Sequence, residues 1–118
     1  MAVHTYRDLI AWRKAMDLVE LVYQVTKLFP RDELYGLTSQ VRKAVVSVPS
    51  NIAEGEGRGS SKVFHYFLSI ANGSLREVET QITIAQRLGY ISQDQVQPIL
   101  VLSDEIARII YGLVKKQS

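Results

Sequence analysis

Gln40, Ser47, Asn51 and Glu54 recur at spacings of 7, 4 and 3 residues, so a helix would carry all four on one face. A solvated helix face is usually built from longer charged side chains. Short amides and hydroxyls suggest partial burial, and buried polar groups need hydrogen-bond partners. The row therefore reads first as a structural network completed from the next helix by Arg76 or Asn72, with a solvated face and a ligand or catalytic site as the lesser readings. A second group, Arg42, Lys43, Arg58 and Lys62, extended by Arg13 and Lys14, has the chemistry for phosphate contact. Its plain alternative is a solubilising surface. Gly55-x-Gly57-x-Gly59 lacks both the Walker lysine pattern and G-x-G-x-x-G spacing, and no strand precedes it. It leads into a helix start whose free N–H groups favour an anion, but a helix end followed by a connector explains it as well.

Metal and nucleophile chemistry find little to build on. His4 and His65 are the two histidines, cysteine is absent, and no Glu-x-x-His pair exists. Glu77 and Glu79 are two residues apart and face different sides of a helix. His65, beside Tyr66, reads as a surface residue. No catalytic residue, metal site or cofactor is assigned.

The elements that carry these residues are helices almost throughout. Leu9, Trp12, Met16, Val19, Tyr23 and Thr26 form one stripe, and Ala15, Leu18, Val22, Val25 and Phe29 an adjoining one. Thr5 and Asp8 suggest a capping box and Pro30 a stop, which predicts a first helix over about 6–28. Val41, Val45, Val48 and Ile52 give a second over about 35–56, kinked where Pro49 removes a donor. Phe64, Leu68, Ala71, Leu75, Val78, Ile82 and Ala85 give a third over about 61–88, capped by Ser60 or Ser61 and closed at Gly89. Gly73 within it costs helix stability or admits a close neighbour. Ser92 and Gln95 open a fourth, about 93–116, with Val96, Ile99, Ser103, Ile106, Ile110 and Leu113 inward and Lys115 and Lys116 in its last turn. The fold class is all-α: an antiparallel up-down-up-down four-helix bundle forming a single domain over 1–118.

The composition agrees. The chain has 118 residues, 47% of them hydrophobic and 22% charged, with no stretch near the roughly 20 apolar residues of a membrane span. With no secretory signal visible at the N-terminus, a soluble cytoplasmic protein is expected. The net charge of +2 is local. Residues 1–34 carry five cations and five anions, 63–92 two of each, and 93–118 three of each, whereas 35–62 carry four cations against Glu54 and Glu56. The doubled stripe on the first helix, with Leu102 and Ile109 beside the main stripe of the fourth, exceeds what one protomer needs. That surplus reads either as wide core burial or as a subunit interface; the second is preferred and predicts self-association.

Several runs carry a resemblance: Tyr6-Arg7-Asp8-Leu9-Ile10-Ala11-Trp12, Tyr35-Gly36-Leu37-Thr38-Ser39-Gln40-Val41-Arg42-Lys43-Ala44, and above all Ser47-Val48-Pro49-Ser50-Asn51-Ile52-Ala53-Glu54-Gly55 with Gly57-Arg58-Gly59-Ser60. Phe67 to Leu75 and Glu77 to Gln81 extend it, so that it spans about residues 5–115. The chain resembles the 23S rRNA-intervening-sequence proteins, also labelled an S23-type ribosomal protein family. The resemblance implies a four-helix bundle, assembly as a homopentamer and no enzymatic activity. Arg42, Asn51, Glu54 and Arg58 match positions that the family pattern emphasises, while Asn72 departs from the basic or small residue expected there. By fold-level analogy, the bundle is similar to pentameric accessory proteins of retroelements that bind nucleic acid and a reverse transcriptase. The expected function is a non-enzymatic homo-oligomeric scaffold that binds RNA or DNA phosphates. Its partners would be other copies of itself, RNA or DNA, and a reverse-transcriptase-like or other protein; no membrane is expected. A protein-interaction adaptor with no nucleic-acid role is the alternative.

Overall fold

The computed structural model of the chain describes residues 5–117; His4 and the Lys116 side chain lie outside the described residues. Four helices carry the fold: α1 (Ile10–Thr26), α2 (Leu37–Gly57), α3 (Ser61–Arg87) and α4 (Gln93–Gln117). Single 3-10 turns at Tyr6–Asp8 and Arg31–Glu33 precede α1 and α2, and no strand occurs among the described residues. The body measures 48 × 24 × 23 Å. α3, at 27 residues, spans nearly its whole length, roughly 40 Å.

α1 starts later than the expected residue 6. Thr5 and Asp8 do cap each other: the Arg7 amide donates to Thr5 Oγ1 at 3.2 Å and the Thr5 amide to Asp8 Oδ2 at 3.1 Å. This closes only the 3-10 turn, because Leu9 is extended at φ −76°, ψ 126° and separates the turn from α1. The helix also ends at Thr26, before the expected 28. α2 runs through Pro49 as one helix, with Pro49 itself buried. The carbonyls near the proline receive side-chain donors: Ser50 Oγ donates to Val46 O and Asn51 Nδ2 to Ser47 O, both at 2.8 Å. Neither bond reaches Val45 O, the carbonyl whose helical donor Pro49 lacks.

The caps of α3 and α4 follow the sequence. The Val63 amide donates to Ser60 Oγ at 3.3 Å. The Gln95 amide donates to Ser92 Oγ at 3.3 Å, and the Ser92 amide to Gln95 Oε1 at 2.8 Å. Gly89 takes φ +81° after α3, a conformation costly for other residues.

The core runs along the inner stripes: Leu18 and Val22 of α1, Val45 and Ile52 of α2, Leu68, Leu75 and Ile82 of α3, and Ile99 and Ile106 of α4 are all fully buried. Ser47 meets Ser74, and two turns further along α2 Gly55 meets Phe67. Residue numbers thus rise along α2 as they fall along α3. A Cβ on Gly55 would lie 2.6 Å from Phe67 Cβ, so the missing side chain sets how closely these helices approach.

The apolar surplus expected on α1 and α4 is largely absorbed inside the bundle. Leu9, Trp12, Val19, Leu102 and Ile109 are half-buried against the core, and Thr26 is buried; Met16 and Tyr23 stay exposed. Other exposed apolar residues lie where the spacing did not point. Ile70 and Ile84 sit on the outer face of α3, which Gly73 and Thr80 share.

One latch joins the loops at the Tyr90 end. Glu33 accepts the Leu37 amide at 3.0 Å, capping α2, and the Tyr90 hydroxyl at 2.8 Å. Phe29 packs on the Tyr90 ring at 5.8 Å between centroids. The Leu37 amide, then the Tyr90 hydroxyl, hold the Glu33 carboxyl below the usual carboxylate range, against a smaller opposing effect of burial. The same carboxylate, burial and the charge of Asp32 push the Tyr90 hydroxyl up. Because the folded value of Glu33 is lowered, its contribution is full above the unfolded value and is lost as pH falls through the folded one. For Tyr90 the contribution is full below the unfolded value and is lost as pH rises through the raised one. Glu33→Gln should therefore lower the urea midpoint at neutral pH, with the gap from wild type closing on acidification. A gap that stays constant down to acid pH would contradict this role.

Candidate nucleic-acid interface

α2 presents its polar residues along two grooves, one against α1 and one against α3. The first, about 530 Å³, is lined by Tyr23, Leu34, Tyr35, Thr38, Ser39, Arg42, Lys43 and Val46. Arg42 Nε donates to Thr26 Oγ1 at 2.8 Å, and its guanidinium lies 4.6 Å from the centre of the Tyr23 ring. The side chain is thus held at its root and across one face, while its remaining N–H groups are not engaged by a carboxylate in any described ion pair. Lys43, one residue on, is exposed. Four other surface depressions each include a carboxylate, from Glu56, Glu77, Glu105 and Glu79 in turn. The α1–α2 groove has two cations and no acid.

The second groove, about 370 Å³, holds part of the polar row: Gln40, Lys43, Ala44, Ser47, Ser74, Glu77 and Gln81. Ser47 and Ser74 hydroxyls are 2.7 Å apart, and Asn51 Nδ2 donates to Ser47 Oγ at 2.9 Å. Ser47 and Asn51 thus form a small network with α3, and its α3 member is Ser74, a residue the spacing did not single out. Gln40 is exposed at the edge of the groove. Glu54 pairs with Arg58 at 2.6 Å one turn along α2. Arg76 does not join this row. It makes two 3.0 Å bonds to Glu79, whose Oε2 also accepts the buried Ser103 hydroxyl at 2.6 Å. Glu79 therefore ties α3 to α4. Asn72 does not complete the row either; its Oδ1 is buried without a hydrogen-bond partner among the described residues. His65, expected at the surface, is half-buried, and its Nε2 is in the same condition as Asn72 Oδ1.

The remaining cations lie elsewhere. Arg58 is the C-cap of α2, roughly 24 Å along the helix from Arg42, and lies 5.5 Å from the Phe67 ring as well as on Glu54. Lys62 is exposed in the first turn of α3. Arg13 Nε donates to Arg7 O at 2.8 Å, and the Arg13 guanidinium stands 3.9 Å from Asp8. Lys14 pairs with Glu105 of α4 at 3.0 Å. Of the six cations selected from sequence, Arg42 and Lys43 share one groove, and the others are distributed over different parts of the surface. Sequence reasoning missed Tyr23, Tyr35, Thr38 and Ser39 as neighbours of Arg42. Tyr35 and Leu34 lie in the turn before α2, outside any periodic stripe. A tyrosine next to a helix-opening glycine was the only available signal.

Chemically, this arrangement offers charge and hydrogen bonds without an enclosed reaction site. No cluster of three or more metal-ligating His, Asp or Glu side chains is present among the described residues. No helix among the described residues is long and apolar enough to cross a membrane.

A comparison with curated proteins finds no match. A crystal structure of a protein of unknown function from the S23 ribosomal protein family of Bacteroides thetaiotaomicron VPI-5482 is similar, with a TM-score of 0.82 and 22% identity. The alignment covers 90% of this chain and 99% of that one, and at this identity it shows the fold alone. The family model described as 23S rRNA-intervening sequence protein matches residues 7–112. The helices it spans include both grooves of α2, and the chain belongs to the 23S rRNA-intervening sequence protein family.

Proposed function

We propose that the protein is a non-enzymatic, cytoplasmic scaffold that assembles from identical subunits, five in number as the resemblance implies, and binds RNA or DNA through phosphates. The observation that carries the reading is the α1–α2 groove, with Arg42 and Lys43 and no acidic side chain. Two cations bind a polyanion weakly; identical subunits multiply them, so a charge excess this small gains effect through assembly. Self-association is supported by the outer face of α3. Ile70 is 37% exposed and Ile84 41%, and Gly73 lies between them. Nothing in the protomer comes within 4 Å of a Cβ built on Gly73. A mid-helix glycine costs about 1 kcal/mol against alanine and serves no packing purpose within the protomer. Close approach by a second copy gives it one.

The protein-interaction adaptor is favoured by a different observation: Arg13, Lys14 and Arg58 are each engaged by acidic side chains of their own protomer. On that reading, Arg42→Ala with Arg58→Ala leaves partner capture intact. A titration with a polyanion across salt separates the two. The scaffold reading expects affinity to fall as salt rises, with Lys43→Ala reducing the slope of log affinity against log salt by about one per protomer engaged. Affinity independent of salt, or no binding at about 50 mM salt, overturns it.

A further inference from the structure

The α1–α2 groove contains more than positive charge. Tyr35 is 93% exposed, so almost none of its ring is used by the protomer. Leu34, Tyr23 and Val46 beside it are 47%, 37% and 40% exposed. Single exposed apolar residues need no explanation, but four lining one groove with two cations form a patch. Tyr23 already carries the Arg42 guanidinium on its ring, which fixes the cation beside the aromatic surface. Tyr35, in the turn at the start of α2, has no ring partner among the described residues.

Charge with free aromatic faces suits a particular form of nucleic acid. A duplex keeps its bases stacked on each other and offers mainly phosphates to such a surface. An unpaired strand offers phosphates and base faces together. Proteins that take single strands without reading sequence pair a cationic groove with aromatic platforms. We infer that the α1–α2 groove binds unpaired polynucleotide, with a base stacked on Tyr35 and the adjoining phosphate held by Lys43 and the outward N–H groups of Arg42. This inference rests on the phosphate-binding reading above and narrows it to single strands. The charge of the groove, two cations and no acidic side chain, argues for a polyanion as its occupant.

The test is fluorescence anisotropy with labelled oligothymidine, oligouridine and a DNA duplex of equal length, at low salt. The oligothymidine and oligouridine arms distinguish DNA from RNA as the source of the strand. Wild type should bind the single strands more tightly than the duplex. Tyr35→Ala should weaken single-strand binding about tenfold and leave duplex binding nearly unchanged, while Tyr35→Phe keeps wild-type affinity. Lys43→Ala should weaken both. Because Tyr35 is almost fully exposed, its truncation should leave helicity unchanged by circular dichroism. If Tyr35→Ala binds single strands as wild type does while Lys43→Ala still weakens binding, the stacking inference falls and the phosphate reading stands. If wild type binds no probe, the phosphate reading falls and the inference with it. If Tyr35→Ala instead lowers the mass of the assembly without weakening the protomer for oligonucleotide, the groove is a subunit contact and the inference is overturned.

Discussion

Gly55→Val should destabilise the bundle markedly by forcing α2 and α3 apart. The alanine variant isolates the cause. Its Cβ would sit 2.6 Å from Phe67 Cβ and 3.1 Å from Phe64 Cδ1. A Cβ is fixed to its backbone, so Phe67 cannot swing away, and α2 and α3 must separate. Overpacking of this kind costs about 1–3 kcal/mol, offset in Gly55→Ala by the roughly 1 kcal/mol that alanine gains in a helix. Valine adds two methyl groups at the same contact and loses much of that offset, so a net loss of about 3 kcal/mol or more is expected. That is a large part of the stability of a domain this size. Gly57→Ala is the control: nothing lies within 4 Å of its Cβ, so it should be neutral or slightly stabilising. Urea midpoints of the three variants check the ordering. Gly55→Ala and Gly55→Val matching wild type would show that the helices do not approach as described.

Leu75→Ala should cost about 3 kcal/mol, within the usual 2–5 for a buried leucine. Leu75 is fully buried at the middle of α3, among residues of the inner stripes. The cost combines the lost transfer of the side chain with the cavity left in a core that relaxes only in part. Ile84 on the same helix gives the contrast. It is 41% exposed, so Ile84→Ala should change protomer unfolding by less than about 0.5 kcal/mol. Denaturant unfolding at protomer concentrations too low for assembly checks both. Equal losses at the two positions would mean that the inner and outer faces of α3 are wrongly distinguished.

The helices were legible because their apolar spacing is regular over many turns. α3 is the clearest case: Phe64, Leu68, Ala71, Leu75, Val78, Ile82 and Ala85 are all buried. Caps at Ser60 and Ser92 were legible because their partners lie three residues away. The start of α1 was not, since a capping box reports only that a turn begins. Here Leu9 is extended after one turn. Tertiary choices were harder to read. The row of Gln40, Ser47, Asn51 and Glu54 shares a face, but spacing within one helix does not say which residue of α3 lies opposite. Ser74 meets it, while Arg76 turns to Glu79. Ser103 could not be distinguished from its apolar stripe until its bond to Glu79 was seen. The Tyr23–Arg42 contact joins two helices and an irregular turn, a juxtaposition that periodicity within any one segment does not encode. The surplus on α1 was real as a count of apolar residues, yet most of it packs against the core.

The central claim is that copies of this 13.3 kDa chain meet through the outer face of α3 and so combine their few free cations. Multi-angle light scattering at tens of micromolar tests it most directly, on wild type and on Gly73→Leu, a variant that leaves the protomer core untouched. The account predicts a wild-type mass near five times 13.3 kDa and a collapse toward 13.3 kDa in Gly73→Leu. A wild-type mass of a single chain at that concentration, or an assembly that Gly73→Leu leaves intact, would contradict it.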